Sequence, residues 1–105
     1  MKPLMVLCSA PTSELAQEIA SGLIKERLAA CVQILPQMQS FYHWQGKVES
    51  ASEYLLLIKT NTSQYSTVES YIQITHEYQV PEIIAIDISH GLPQYLTWLN
   101  GEVSV

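Results

Sequence analysis

The strongest constraint on this chain is a pair of long extended segments that face each other across Gln45-Gly46. Ala30 to Trp44 is rich in β-branched and aromatic residues, and Val48 to Thr60 returns from the turn as 13 more residues of strand. Thirteen residues at ~3.3 Å each reach roughly 43 Å. A globule of 105 residues has a radius of gyration near ~13 Å, hence a diameter of about 30–35 Å. The hairpin must therefore protrude or bend sharply. Pro36 lacks a backbone donor and argues for an edge strand or a bulge. The tip carries Phe41, Tyr42 and Trp44, with Phe41 facing opposite to Tyr42. An aromatic ribbon projecting into water invites pairing with another chain, and a closed ring of copies joined through the 30–60 hairpin satisfies it. The alternative is a hairpin folded over its own sheet.

The remaining pattern fits around this ribbon. Leu4 to Ser9 reads as a buried strand closed by Pro11. Thr12 or Ser13 caps a first helix, with Glu14 and Glu18 near its positive end. Its apolar stripe is Leu15, Ala16, Ile19, Ala20, Leu23, Ile24 and Leu28, and Lys25 and Arg27 suit its negative end. Tyr54-Leu55-Leu56-Leu57-Ile58 reads as strand buried on both faces. A second helix follows Asn61-Thr62-Ser63 and runs to about His76, with Tyr65, Val68 and Ile72 holding the period. Ile83 to Ser89 is the last strand. Gly91 and Pro93 open a short C-terminal helix carrying Tyr95, Leu96, Trp98 and Leu99, stopped by Asn100-Gly101. The order β-α-β-β-α-β implies one α+β domain over 1–105. It is a ferredoxin-like split βαβ sandwich: an antiparallel four-stranded sheet with helices on one face, an extended hairpin and a terminal helix.

Charge narrows the partners. Five basic residues stand against 10 acidic ones, for a net charge of −5. No Lys/Arg cluster exists, so nucleic acid and anionic membrane are excluded as partners. No apolar run approaches the ~18 residues of a membrane span. The apolar stretch at the N-terminus is too short for a signal. Charged residues make up only 14% against roughly 25% in an average globular chain, which again favours a surface covered by copies of itself. Cys8 and Cys31 lack a staple-like spacing and read as reduced thiols, hence a cytoplasmic protein.

Topology brings a few reactive side chains together. The first strand ends at Cys8-Ser9, the second helix at Thr75-His76, and the last strand begins after Glu82, so Cys8, His76 and Glu82 share one end of the domain. His90 lies at the other end. A thiolate and an imidazole suit copper or zinc, in a weak, exchangeable site or in one completed across a subunit boundary. Plain alternatives stand beside this. Cys8 and Cys31 also fit as small core hydrophobes. His76 also fits as a complement to a helix C-terminus. His43 fits as hairpin packing, and Glu82 as a surface carboxylate or a tie across an interface. Tyr42, Tyr54, Tyr78, Trp44 and Trp98 form either a stacking set or core and interface. P-loop, dinucleotide-loop and HExxH motifs are absent.

Several segments taken in order resemble one family. They are Leu28-Ala29-Ala30-Cys31, Ser40-Phe41-Tyr42-His43-Trp44-Gln45-Gly46-Lys47, Leu57-Ile58-Lys59-Thr60, His76-Glu77-Tyr78-Gln79-Val80-Pro81-Glu82-Ile83 and Tyr95-Leu96-Thr97-Trp98-Leu99. This series is similar to the CutA family of divalent-cation tolerance proteins, across essentially the whole chain. The resemblance implies a ferredoxin-like fold, a tight trimer built through long hairpins as in PII signalling proteins, and copper tolerance and binding without an enzymatic step. The ligands it implies are a cysteine ending the first strand, matched by Cys8, and a His-His pair, of which His76 matches the second. Thr75 stands in place of the first.

Two functional expectations follow. The first is a cytoplasmic homotrimer linked to divalent-cation tolerance that binds Cu²⁺ or a similar metal weakly through Cys8 and His76. The second is a PII-like trimeric sensor holding a small molecule in clefts between subunits, lined by Tyr42, Trp44, Lys59, Tyr78 and Glu82. Acylphosphatase chemistry is disfavoured because the Ser9-Ala10-Pro11-Thr12 loop has no arginine. A metallochaperone role is disfavoured because that loop has no Cys-x-x-Cys. RNA-recognition versions of the fold need basic aromatic strands that the acidic charge opposes.

Overall fold

The computed structural model describes residues 1–104. Seven elements run in the order β1 (Pro3–Ala10), α1 (Ser13–Lys25), β2 (Cys31–Trp44), β3 (Lys47–Asn61), α2 (Tyr65–Thr75), β4 (Ile83–Asp87) and α3 (Pro93–Glu102). The four strands form one antiparallel sheet in the order β2-β3-β1-β4. This is the split βαβ arrangement, with β2 as the edge strand that Pro36 demands.

Alternation along each strand sorts residues between two faces. Val6 and Cys8 of β1 and Leu56 and Ile58 of β3 point to the helices. There they pack with Leu15, Ile19, Leu23, Val68 and Ile72 into one core. Thr12 caps α1 through its Oγ1, which accepts the Leu15 N–H at 3.2 Å. The helix ends three residues before Leu28. Leu28 N–H donates to the Leu23 carbonyl at 2.9 Å and Arg27 N–H to the Ile24 carbonyl at 3.1 Å. That paired closure is a Schellman motif, and it holds Arg27 at φ 56°, where glycine is usual. The Arg27–Glu102 ion pair at 3.0 Å fastens the same residue to α3.

Three expectations are corrected. α3 does not stop at Asn100-Gly101 but continues to Glu102, because Leu99 and Val103 are buried and Glu102 is held by Arg27. β4 ends at Asp87 rather than Ser89. The 54–58 segment is not buried on both faces: Leu56 and Ile58 are enclosed, whereas Leu55 and Leu57 on the helix-free face are only half-buried. On that same face Leu35, Ile84 and Ile86 are 45%, 52% and 48% exposed. A single copy thus presents an uncovered apolar sheet surface.

The hairpin protrudes. The molecule measures 45 × 26 × 21 Å, with a radius of gyration of 14.3 Å. Gln45 and Gly46, at φ 51° and 79°, make the two-residue turn, and positive φ at both positions matches the twist of the flanking strands. A bulge lies at Pro36-Gln37: Leu35 faces Leu55, yet Met38 faces Glu53, so β2 carries one extra residue. Gln37 takes φ 62° there. The bulge reverses parity. Before it, Cys31, Gln33 and Leu35 occupy the helix-free face. Beyond it, Met38, Ser40, Tyr42 and Trp44 do.

Candidate functional site

The structure brings Cys8, His76 and Glu82 to one end of the domain, with His90 beyond the other end of β4. It then gives the first two a role other than metal ligation. His76 directly follows α2, leaves the helix at ψ 149° and is buried. Its Nε2 lies 2.7 Å from the Ser9 carbonyl oxygen, and its Nδ1 accepts the Tyr78 N–H at 3.0 Å. These partners fix a neutral ring with the proton on Nε2. Neither nitrogen has a lone pair left for a metal. The Cys8 thiol is fully enclosed on the helix side and donates to the same Ser9 carbonyl at 3.7 Å. Burial first, then the negative charges of Glu82 and Glu53, push its pKa from 9.0 up to about 12. With the Cys8 thiol and His76 Nε2 both directed at the Ser9 carbonyl and His76 Nδ1 taken by the Tyr78 N–H, the pair as arranged presents no free lone pairs to Cu²⁺ or another soft ion. Among the described residues, no three His, Cys, Asp or Glu side chains gather closely enough to hold one. Cys31 is half-buried on the helix-free face, opposite Lys59, rather than in the core.

The second set of residues behaves differently. A groove of about 950 Å³ runs between the distal hairpin and the 78–82 segment, lined by Ser9, Ser40, Phe41, Tyr42, Trp44, Glu49, Glu53, Tyr78, Gln79, Val80 and Glu82. Tyr42, Trp44, Tyr78 and Glu82 therefore converge as the sequence suggests. Lys59 does not. It lies four residues beyond Leu55 along β3, about 13 Å away, with its Nζ 3.3 Å from the Tyr95 hydroxyl and 5.4 Å from that ring's centre. Its loss from the set removes the only base and leaves an acidic groove.

Glu49 and Glu53 replace it, and sequence reasoning missed both. Their signal was present: Glu49, Ala51, Glu53, Leu55 and Leu57 alternate on one face of β3, which puts two carboxylates in line with an apolar row. Glu53 is only 8% exposed. Its Oε2 accepts the Tyr78 hydroxyl at 3.3 Å. Burial and the Glu53 charge raise the Tyr78 pKa above its ordinary value. His76 positions this wall twice, through the Tyr78 N–H and by ring contact at 4.8 Å between centroids. The bulge at Pro36-Gln37 brings Tyr42 directly across from Glu49 on the groove side.

The CutA1 divalent ion tolerance protein family matches residues 4–102. The chain belongs to the CutA1 family. It is 45% identical to the divalent-cation tolerance protein CutA of Thermus thermophilus, over 91% of this chain and 93% of that one. With the protein of the same name from Pectobacterium atrosepticum it shares 41%, over 94% and 90%. Solved CutA structures share its whole architecture. That from Xylella fastidiosa superposes with a TM-score of 0.96 at 41% identity, over 99% of this chain and 100% of that one. The periplasmic divalent cation tolerance protein CutA of Archaeoglobus fulgidus superposes with a TM-score of 0.93 at 36% identity, over 97% and 99%. Membership in CutA1 links this chain to divalent-cation tolerance and makes the protruding hairpin a property of the fold.

Proposed function

We propose that this protein acts in divalent-cation tolerance as a cytoplasmic homotrimer, a binding protein without a catalytic step. One observation carries the assembly. The helix-free face of the sheet joins exposed Leu35, Ile84 and Ile86 to half-buried Met5, Leu7, Leu55 and Leu57, and the hairpin beside it extends the molecule to 45 Å. A contiguous apolar surface of this kind is covered by a partner in a soluble protein. A second copy has the matching face, and a hairpin reaching around it closes a ring. The family likeness supports the reading of three subunits in a PII-like arrangement, and two free thiols with no staple spacing support the cytoplasm. Any link to Cu²⁺ runs through something other than a Cys8–His76 chelate.

The test is native mass spectrometry of the wild type and of Ile84→Asp, with and without Cu²⁺. Wild type is expected at three times the 11.8 kDa chain mass. Ile84→Asp is expected at the mass of one chain, with its circular dichroism retained. A wild-type particle of single-chain mass would overturn the assembly.

A second reading is favoured by the aromatic, acidic groove: a trimeric sensor that binds a small molecule where hairpin and 78–82 segment meet, at the subunit junction. Its dimensions suit a small organic ligand better than a bare ion.

A further inference from the structure

We infer that the hairpin groove of one subunit receives the Lys59–Tyr95 end of the next, a head-to-tail contact between copies of this chain in which Lys59 pairs with Glu49. The inference deepens the assembly reading above and rests on it.

β3 carries the pattern on its helix-free face. Glu49 and Glu53 stand at the hairpin end, Leu55 and Leu57 in the middle and Lys59 at the far end. Ten residues of strand from Glu49 to Lys59 span roughly 33 Å, so the two cannot meet within one chain. The face has an acidic head, an apolar centre and a basic tail. Two copies set side by side in the same direction bring carboxylate to carboxylate and amine to amine. Offset head to tail, each end meets its opposite, and complementary charge fixes that register.

Both ends are open in a single copy. At the head, Glu53 is satisfied by the Tyr78 hydroxyl, which leaves Glu49 as the open carboxylate of the row. Tyr42 and Trp44 beside it are 45% and 61% exposed, and no Lys, Arg or His lines the groove. At the tail, Lys59 Nζ lies 3.3 Å from the Tyr95 hydroxyl, and the Tyr95 ring stands 5.5 Å from that of Trp98. Trp98 and, one turn before Tyr95, Leu92 are exposed as well. The ion pair found among the described residues is Arg27–Glu102, so Lys59 and Glu49 take no counter-charge from their own chain. Tyrosine and tryptophan are the side chains that most often anchor interfaces, and their rings pack on one another and attract an ammonium group. The apolar centre makes head and tail continuous with the face that the assembly covers. Head and tail are different patches, so the contact is heterologous, the kind that closes into a ring.

Carbodiimide treatment of the wild-type full-length protein, which joins an amine to a carboxylate in contact, tests this without a variant. Peptide mass spectrometry is expected to find Lys59 joined to Glu49 in a product of two or three chain masses. Absence of that link in a protein of three-chain native mass would overturn the inference and leave the assembly standing. Charge reversal reads the same pair in solution. Sedimentation velocity in a urea series gives the midpoint at which the assembled particle yields to single chains. Lys59→Glu and Glu49→Lys are each expected to lower that midpoint by about 0.5 M or more. The two changes together are expected to return it most of the way to wild type, a rescue that the strand length allows only between chains. Single variants at the wild-type midpoint, or a double variant no better than the weaker single one, would overturn the pairing. A wild-type particle of single-chain mass would overturn the assembly reading itself.

Discussion

Cys8 and His76 donate to a single acceptor, the carbonyl of Ser9, from 3.7 Å and 2.7 Å. Both side chains are thereby spent as hydrogen-bond donors at the end of β1. Removing one of them cannot weaken a chelate they do not form. Copper titrations of wild type and Cys8→Ala are therefore expected to give the same isotherm. A lost or weakened site in Cys8→Ala would return the thiol to the metal chemistry.

The same burial makes Cys8 an inert thiol. It is enclosed, and its pKa of about 12 leaves almost no thiolate at neutral pH. Iodoacetamide at pH 8 is expected to leave Cys8 unlabelled in the native protein and to label it once urea unfolds the chain. Peptide mass spectrometry reads both states. Rapid labelling of native protein would contradict the enclosure.

Stability should show the matching alkaline signature. The Cys8 pKa is raised from 9.0 to about 12 on folding, so in that window the unfolded chain loses a proton that the native chain keeps. The contribution is whole below pH 9 and is lost as pH rises towards 12, at about 1.4 kcal/mol per pH unit for one group. Tyr65 and Tyr78, also raised, act in the same direction. Cys8→Ala lacks the thiol but keeps both tyrosines. Its deficit against wild type, about 1 kcal/mol from the small cavity at pH 8, should vanish and change sign between about pH 9 and 10.5 in urea melts. A constant deficit would mean the native thiol ionises as freely as the unfolded one.

His76 joins β1 to the groove wall. His76→Phe keeps a ring but leaves the Tyr78 N–H without a partner and the Ser9 carbonyl with only the weak Cys8 thiol donor. Two buried bonds at about 1 kcal/mol each, plus the cost of stranding their partners, give a loss of about 2–4 kcal/mol. Hydrogen exchange should rise first at the Tyr78 amide. Unchanged protection there would show that the loop is held by other contacts.

What the sequence made legible follows from periodicity and reach. Ile19, Leu23 and Ile72 recur at helical spacing, and the Val48–Thr60 run is longer than its globule, so the core stripe and the protruding hairpin could be read directly. The site was read less well because side-chain direction depends on local backbone. One extra residue at Pro36-Gln37 exchanges the faces of everything beyond it, and strand alternation alone does not show where that exchange falls. Lys59 was grouped with Tyr78 in a cleft between subunits; within one chain it stands with Tyr95, a position along β3 that strand topology does not give. Cys8 and His76 were correctly placed at one end, but their shared acceptor is a backbone carbonyl, invisible to any pattern of side chains. The end of α3 was misread at Asn100-Gly101, because burial of Leu99 and Val103 outweighed a local stop signal.

Asn61 gives the sharpest test of how α3 is fastened. It is fully buried at the end of β3. Its amide donates to Asn100 Oδ1 at 2.9 Å, and its Oδ1 accepts the Ser63 N–H at 3.1 Å and the Ser63 hydroxyl at 2.6 Å. One side chain thus ties the sheet to α3 and shapes the turn into α2. Asn61→Ala removes all three bonds, while water can reach the exposed Ser63 and the half-buried Asn100. A loss of about 1–3 kcal/mol is expected, from the three part-buried bonds together with the missing volume. Ser63→Ala removes only the hydroxyl bond and should cost about 1 kcal/mol. The two variants separate in a second observable: amides of 93–102 should exchange faster in Asn61→Ala and at the wild-type rate in Ser63→Ala. Equal exchange in both would move the anchor of α3 to Arg27 and Glu102, whose ion pair is exposed and contributes at most ~1 kcal/mol by itself.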